Sequence, residues 1–133
     1  KMTDFKLSDA IKSVEEFHNC FNIKNNHKPV AELEEGQAQL RYDLMKEETE
    51  EYLDAVKNND LVEIADALGD QLYILCGTIL KHGMQDKIVE VFQEIHRSNM
   101  SKLGEDGNPI YREDGKVLKG KNYFRPNIKN IID

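Results

Sequence analysis

The chain has 133 residues, of which 39% are hydrophobic and 32% are charged, with a net charge of −7 and two cysteines. One compact core fits this length, whereas a disordered chain, a disulfide framework, a membrane span of ~20 apolar residues and general binding to duplex DNA do not fit this composition. We therefore expect one soluble, cytoplasmic domain over residues 1–133, with neither a nucleic acid nor a membrane as its partner.

The first half of the chain predicts two helices separated by a loop. Ser8 and Asp9 are suited to capping the first helix. The apolar residues of this helix recur at helical spacing and are Ile11, Val14, Phe17, Cys20 and Phe21. Residues 22–29 have the composition of a loop, and we predict a second helix from about Ala31 to Lys57.

Two further helices follow. Asp60 is the predicted N-cap of the third helix, and Glu63 lies three residues further on, as in a capping box. This helix runs to His82, and Gly83 is placed to end it. A fourth helix is predicted over about residues 85–101, with an apolar face formed by Ile88, Val91, Phe92 and Ile95.

After the fourth helix the chain predicts an irregular C-terminal arm. Turn signals at residues 113–115 predict a short hairpin, and Asn127 is suited to capping a final helical turn. The pattern as a whole predicts an all-α protein, with a four-helix bundle as its core over about residues 8–103 and the arm over about residues 104–133.

Acidic residues fall on the apolar side of the second predicted helix. Steps of three and four residues keep one helix face in register, and this stripe holds Leu40, Leu44, Glu47, Glu48, Glu51 and Ala55. The leucines should face the core, so the stripe carries three carboxylates into the core or beside it. Like charges that lose hydration repel one another and need a compensating cation.

The third predicted helix carries a matching set of acids. Glu63, Asp66 and Asp70 lie on one face of this helix. Its main apolar face consists of Leu61, Ile64, Leu68, Leu72, Leu75 and Ile79. Helices joined by a short loop pack antiparallel, so the two sets of acids can oppose each other near the middle of the helices.

Carboxylates that converge in this way favour Mg²⁺, with Mn²⁺ as a substitute, because hard cations prefer oxygen ligands. The scattered histidines argue against zinc. The lack of a histidine three residues after Glu47 or Glu51 argues against a di-iron centre. The alternative to a metal site is that these acids form the exposed flank of an acidic bundle.

Several motifs together make the chain resemble a known family. Residues 47–51 (EETEE) fit the EExxE motif of the MazG-like, all-α NTP pyrophosphohydrolases, and residues 66–73 are similar to the second acidic motif of that family, ExxD. Residues 98–102 (SNMSK) and 115–120 (GKVLKG) resemble its phosphoribosyl-ATP pyrophosphohydrolase-like branch. The resemblance covers about residues 14–126.

The second acidic motif can be aligned in two ways. If Asp70 is the aspartate of ExxD, Ala67 stands at the glutamate position and Asp66 lies one residue earlier. If Glu63 and Asp66 are the pair, the spacing is literal and Asp70 is left over. We favour Asp66 and Asp70, because the apolar run that usually follows the motif begins after Asp70.

The resemblance implies an Mg²⁺-dependent enzyme that cleaves (d)NTPs between the α and β phosphates, releases a nucleoside monophosphate and pyrophosphate, and cleans the nucleotide pool. It implies that the catalytic residues are Glu47, Glu48 and Glu51. The metal ligands that it implies are Glu47, Glu48, Glu51, Asp66 and Asp70, with Glu63 left open.

Residues beyond the acids are expected to bind the nucleotide, namely Asn99, Lys102, Lys116, Lys119 and Tyr123. The lysines would offset phosphate charge, those of the arm as part of a mobile lid, and the amide of Asn99 suits a base edge. Tyr123 would stack on the base or anchor the arm. Family members usually form dimers, so we expect a homodimer or a dimer of dimers, which would cover apolar faces that one chain leaves open.

Two other functions remain open at this point. A true phosphoribosyl-ATP pyrophosphohydrolase of histidine biosynthesis would share the reaction and differ in substrate. A non-catalytic helical module for dimerisation or metal-dependent binding would keep the fold and lack turnover.

Overall fold

The computed structural model describes residues 4–133 and is helical throughout its regular parts. The helices are α1 (Leu7–Cys20), α2 (Gln37–Lys57), α3 (Leu61–Lys81), α4 (Ile88–Met100) and α5 (Ile128–Ile132). Over the described residues no strand is present, which confirms the predicted all-α class. None of these helices has the length and apolar character needed to cross a membrane.

The chain divides into two compact units, the first ending at Asp86 and the second running from Lys87 to Asp133. In the first unit α3 packs against both α1 and α2. In the second unit α4 packs against α5. The expectation of a single domain over the whole chain stays a prediction.

The start of α2 differs from the prediction by six residues. Gly36 has a φ of 81°, which lies in the left-handed region and cannot continue a right-handed helix. The segment before it is held by other contacts, since the Val30 N–H donates to the carbonyl oxygen of His82 at 3.0 Å. The helix therefore begins at Gln37 rather than near Ala31.

The ends of α3 follow the predicted signals. The side chain of Asp60 accepts a hydrogen bond from the Glu63 N–H at 3.1 Å, as expected of an N-cap. His82 is the C-cap, and Gly83 after it has a φ of 66°, the left-handed geometry that ends helices.

The predicted cap of α1 is misplaced by two residues. Lys6 is the N-cap and Asp9 lies inside the first turn, where its carboxylate accepts a hydrogen bond from the Lys6 N–H at 2.8 Å. An acidic side chain in the first turn can satisfy the cap backbone from inside the helix. Asp9 therefore does satisfy the helix start, but from inside the first turn and not as the N-cap itself.

The core of the first unit is built mainly from small and aliphatic residues. Its buried apolar members are Ile11, Val14, Ala55, Ala67, Cys76, Ile79 and Leu80. Four leucines of the predicted apolar face of α3 lie on the surface of the chain: Leu61 is 77% exposed, and Leu68, Leu72 and Leu75 are about half exposed. Ile79, at the end of that face, is buried. The four leucines are exposed because α1 and α2 pack on the side of α3 that carries Ala67 and Gly77.

The arm of the second unit contains the predicted hairpin in its smallest form. Tyr111 and Val117 form one antiparallel bridge, and the Leu118 N–H donates to the Ile110 carbonyl oxygen at 2.8 Å. Asn127 caps α5, as predicted, by accepting a hydrogen bond from the Asn130 N–H at 3.2 Å.

Candidate active site

Three glutamates of α2 converge at one place on its surface. Glu47, Glu48 and Glu51 each offer a carboxylate oxygen, and these oxygens all lie within 4.8 Å of one another. Helical spacing produces the grouping, because Glu51 lies three positions after Glu48 and four after Glu47, and side chains at these spacings share a side of the helix. The EExxE motif is thus a cluster of oxygen ligands in three dimensions.

Glu48 occupies the centre of this cluster in an unfavourable setting for a negative charge. Its Oε1 atom is buried and has no hydrogen-bond partner among the described residues. Burial, together with the charges of Glu51, Asp70 and Glu47, raises the pKa of Glu48 to about 7. A buried carboxylate without a partner is costly, so the site favours a cation.

Asp70 of α3 lies close to Glu48, beside the cluster of three glutamates. It lies within hydrogen-bonding reach of Glu48 and contributes to the raised pKa of that residue. Next to Asp70, α3 is hydrogen-bonded to α2: the Gln71 side-chain amide donates to Thr49 Oγ1 at 3.2 Å. The expected opposition of acids from α2 and α3 is therefore present at Glu48 and Asp70.

The remaining predicted ligands are not part of this group. Asp66 and Glu63 are exposed residues of α3 and, like Asp70, do not join the three glutamates within 4.8 Å. Unlike Asp70, they do not contribute to the raised pKa of Glu48. Asp66 lies one turn before Asp70 on the same helix, whereas Glu63 belongs to the first turn of α3. Their roles as ligands stay predictions.

The three grouped glutamates, with Asp70 beside Glu48, fit a hard divalent cation. All of the donor atoms are oxygens, as Mg²⁺ and Mn²⁺ prefer. The partnerless Oε1 of Glu48 is the atom that such an ion would satisfy. The donor chemistry therefore agrees with a magnesium-type site and gives no support for zinc.

The second unit has a pocket of its own that contains two of the predicted substrate-binding residues. Asn99 and Lys102 line a pocket of about 360 Å³, whose other walls are Met100, Leu103, Pro109 and Val117. A mostly apolar pocket with one amide and one ammonium group is typical of a small-molecule site.

The arm residues Lys119 and Tyr123 contact each other. The Lys119 ammonium lies 4.9 Å from the centre of the Tyr123 ring, a cation–π arrangement. Lys116 and Lys119 are both exposed. Both residues belong to the arm, so this contact does not attach the arm to α4, and the role of Tyr123 stays a prediction.

Two serines for which the sequence predicts no role bind the arm to the end of α4. Ser98 is 2% exposed, and its hydroxyl donates to the Phe124 carbonyl oxygen at 2.8 Å. The Ser101 hydroxyl accepts from the Phe124 N–H at 3.2 Å. Within residues 98–102 (SNMSK), the two serines hold the arm, whereas Asn99 and Lys102 line the pocket.

Replacing Ser98 with alanine should loosen the arm. The change leaves the Phe124 carbonyl oxygen without its partner, at a cost of about 1–2 kcal/mol. We expect about tenfold faster amide exchange over residues 120–126, measured by hydrogen–deuterium exchange. Ser13→Ala is the control, because its hydroxyl bonds only within α1. Unchanged exchange in Ser98→Ala would contradict the anchoring role.

Together, the fold and the acidic cluster define an all-α protein with a carboxylate site suited to a divalent metal. Residues 14–99 match the sequence profile of the phosphoribosyl-ATP pyrophosphohydrolase family (PRA-PH). The chain belongs to this family, which confirms its resemblance to the MazG-like all-α NTP pyrophosphohydrolases. Its members are typically dependent on a divalent metal, and membership supports a nucleotide pyrophosphohydrolase type of activity.

Two relatives extend the comparison. The chain is 32% identical over 142 residues to the uncharacterized protein L479 of Acanthamoeba polyphaga mimivirus, which covers 99% of this chain and 52% of the viral protein. The chain therefore spans about half the length of this curated relative. A crystal structure from Exiguobacterium sp. 255-15, provisionally assigned as an NTP pyrophosphohydrolase, matches with a TM-score of 0.52 and 24% identity, over 93% of this chain and 94% of that one. This second likeness supports the fold.

Proposed function

We propose that the protein is an Mg²⁺-dependent nucleoside triphosphate pyrophosphohydrolase that acts on the cytoplasmic nucleotide pool. It would cleave (d)NTPs between the α and β phosphates and release a nucleoside monophosphate and pyrophosphate. The observation that carries the proposal is Glu48, whose buried Oε1 has no partner at the centre of a carboxylate cluster. Such a group is explained by a metal and a polyanionic substrate that the metal can bind.

The acidic cluster would hold the metal through Glu47, Glu48, Glu51 and Asp70. When bound, Mg²⁺ supplies Lewis-acid stabilisation of the phosphate oxygens and offsets the charge that develops on them. A glutamate of the cluster that is not engaged with metal would accept the proton of the attacking water. Asp66 is proposed as a further ligand one turn away on α3.

The nucleotide would also need cationic and polar groups from the protein. We propose Asn99, Lys102, Lys116, Lys119 and Tyr123 for this role, all of which belong to the second unit. Support comes from the shared pocket of Asn99 and Lys102 and from the pairing of Lys119 with Tyr123. Lysine ammonium groups are suited to phosphate oxygens as compact point charges.

The leucine stripe of α3 supports a homodimer. Leu61, Leu68, Leu72 and Leu75 recur at helical spacing and are all exposed in one chain. A contiguous apolar face of this kind marks an interaction site, and a two-fold axis would let it pack on its own copy.

Leu72→Glu should therefore turn the dimer into a monomer. The new charge would be buried in the interface without a partner. The mass in solution, measured by light scattering after gel filtration, is expected to halve. Val89→Glu is the matched control, because Val89 is also exposed but lies on α4. A dimer that survives Leu72→Glu would place the interface elsewhere.

A second candidate function is supported by the family match itself. The matched family is named for phosphoribosyl-ATP, so a pyrophosphohydrolase of histidine biosynthesis would use the same acids on that substrate. A non-catalytic metal-binding module would bind metal but turn over neither substrate.

The test is a side-by-side measurement of pyrophosphate release from the NTPs, the dNTPs and phosphoribosyl-ATP with Mg²⁺. We expect the highest kcat/KM for one of the triphosphates. A value at least tenfold higher for phosphoribosyl-ATP, with rescue of a histidine auxotroph, would favour the second function. Metal binding without turnover of any compound would favour the binding module.

A further inference from the structure

Basic side chains converge on a second pocket of the first unit, away from the acidic cluster. Arg41 of α2 is 8% exposed and Lys81 at the end of α3 is 5% exposed. Both line a pocket of about 370 Å³, together with Lys24, Gln37, Asn22 and Leu44. Residues as strongly charged as these are rarely buried unless they are paired.

The two buried cations have only neutral partners. The Arg41 guanidinium donates from Nε to Thr78 Oγ1 at 3.0 Å and from Nη2 to the Ile74 carbonyl oxygen at 2.8 Å. The Lys81 ammonium donates to the Lys24 carbonyl oxygen at 2.6 Å. Across residues 4–133, no carboxylate forms an ion pair with either side chain within 4.0 Å. Because a guanidinium has five N–H donors and an ammonium three, most of their donors remain available.

The balance of charge around the pocket is positive. Lys24, Arg41 and Lys81 face one acid, Glu34, which is exposed and pairs with Lys24 at 3.0 Å near the surface. Burial lowers the pKa of Lys81, and the charge of Arg41 lowers it further. Burial also lowers the pKa of His18, and the charges of Arg41 and Lys81 lower it further. The charge of Glu34 opposes this lowering for Lys81, but three cations against one acid leave the pocket lining with net positive charge.

The fold makes room for this arrangement. Gly77 lies in the interior of α3, and a side chain there would collide with the Nη2 atom of Arg41. A glycine inside a helix costs about 1 kcal/mol relative to alanine. The helix thus gives up stability at the point where it accommodates the guanidinium.

This pocket is separate from the carboxylate cluster. Arg41 precedes Glu48 by seven residues on α2, which corresponds to about 10 Å along the helix axis. The charges of the two places are also opposite. An anion in the basic pocket would meet the buried donors of Arg41 and Lys81, with Glu34 as the one carboxylate in the lining, whereas the acidic cluster consists of carboxylates.

We propose that the basic pocket binds the phosphate group of a small phosphorylated molecule. A planar guanidinium fork beside an ammonium group matches the oxygens and the double charge of a phosphate. The volume exceeds that of the ion alone and leaves space for the group that carries it. The inference does not depend on the proposed function, since it concerns residues outside the acidic cluster.

The test is calorimetric titration of the full chain, without divalent metal and in chloride buffer at pH 7.5. The probes are inorganic phosphate and the nucleoside monophosphates. We expect saturable binding near one equivalent per chain. Tighter binding of a monophosphate would identify a phosphorylated metabolite as the ligand, and equal binding would identify free phosphate, so both results support the site.

Variants decide where the anion binds. Lys24→Met, at an exposed side chain, should keep the fold and weaken binding at least tenfold, and Lys57→Met, at an exposed lysine distant in sequence, should leave it unchanged. Arg41→Lys keeps the charge and should also weaken binding. The absence of binding to every probe at millimolar concentration would overturn the proposal. Binding that is unchanged in both Lys24→Met and Arg41→Lys would overturn it too, by placing the anion outside this pocket.

Discussion

Glu48→Gln is expected to reduce pyrophosphate release by about a hundredfold or more. The amide keeps the shape of the side chain but removes the charge that the cluster would offer to a metal. Asp70→Asn should have a similar effect, because Asp70 lies beside Glu48 on the facing helix. The measurement is kcat/KM for the best substrate at saturating Mg²⁺.

Two comparisons separate this loss of activity from unfolding. Glu50→Gln changes an exposed glutamate of the same motif and should retain activity. Glu48→Gln itself should not lower the melting temperature of the metal-free chain at pH 8. The pKa of Glu48 is raised from 4.5 to about 7, so the stability it contributes is present at low pH and is lost as the pH rises through that range. Full activity in Glu48→Gln would contradict the central place of this residue.

Gly77→Ala is expected to destabilise the fold by about 1–3 kcal/mol, although alanine is the better helix former. The added methyl group meets the Arg41 guanidinium and comes within 3.0 Å of His18 Nε2. Movement of the guanidinium would break its hydrogen bonds to Ile74 and Thr78. The free energy of unfolding in urea measures the effect.

The same helix provides the matched control. Gly69 also lies inside α3, and a Cβ atom there would meet nothing within 4 Å. Gly69→Ala should therefore stabilise the chain by about 1 kcal/mol. If both variants gained stability, the result would contradict the close contact between Gly77 of α3 and the Arg41 guanidinium.

Local signals predicted the ends of α3 well and the start of α2 poorly. Asp60 and Gly83 act through contacts with their own neighbours in sequence, so their roles can be read from the chain. Residues 31–36 have helical composition, but they are held outside the helix by Gly36 and by the contact of Val30 with His82. A contact between residues so distant in sequence leaves no local signal.

Periodicity identified the apolar stripe of α3 but not its environment. The pattern is the same whether a stripe packs on the chain itself or on another copy. Leu61 and Leu72 are exposed because α1 and α2 use the opposite, small-residue side of α3. Which side is used depends on how closely the helices approach, and that is a property of the assembled unit.

The acidic cluster was predictable because one helix supplies three of its members. Glu47, Glu48 and Glu51 are neighbours by helical geometry alone. The position of Asp70 near these glutamates could be predicted only from the expected antiparallel packing of two adjacent helices. The basic pocket was not predicted, because Arg41 and Lys81 resemble ordinary surface residues in sequence and become neighbours only through the α2–α3 packing.

The identity of the products is the most direct test of the proposed cleavage between the α and β phosphates. The preferred triphosphate is incubated with the protein and Mg²⁺, and the reaction is followed by phosphorus NMR. We expect a nucleoside monophosphate and pyrophosphate in equal amounts, with no product formed by Glu48→Gln. A nucleoside diphosphate and orthophosphate would show cleavage at the β–γ bond instead and would contradict the proposed function.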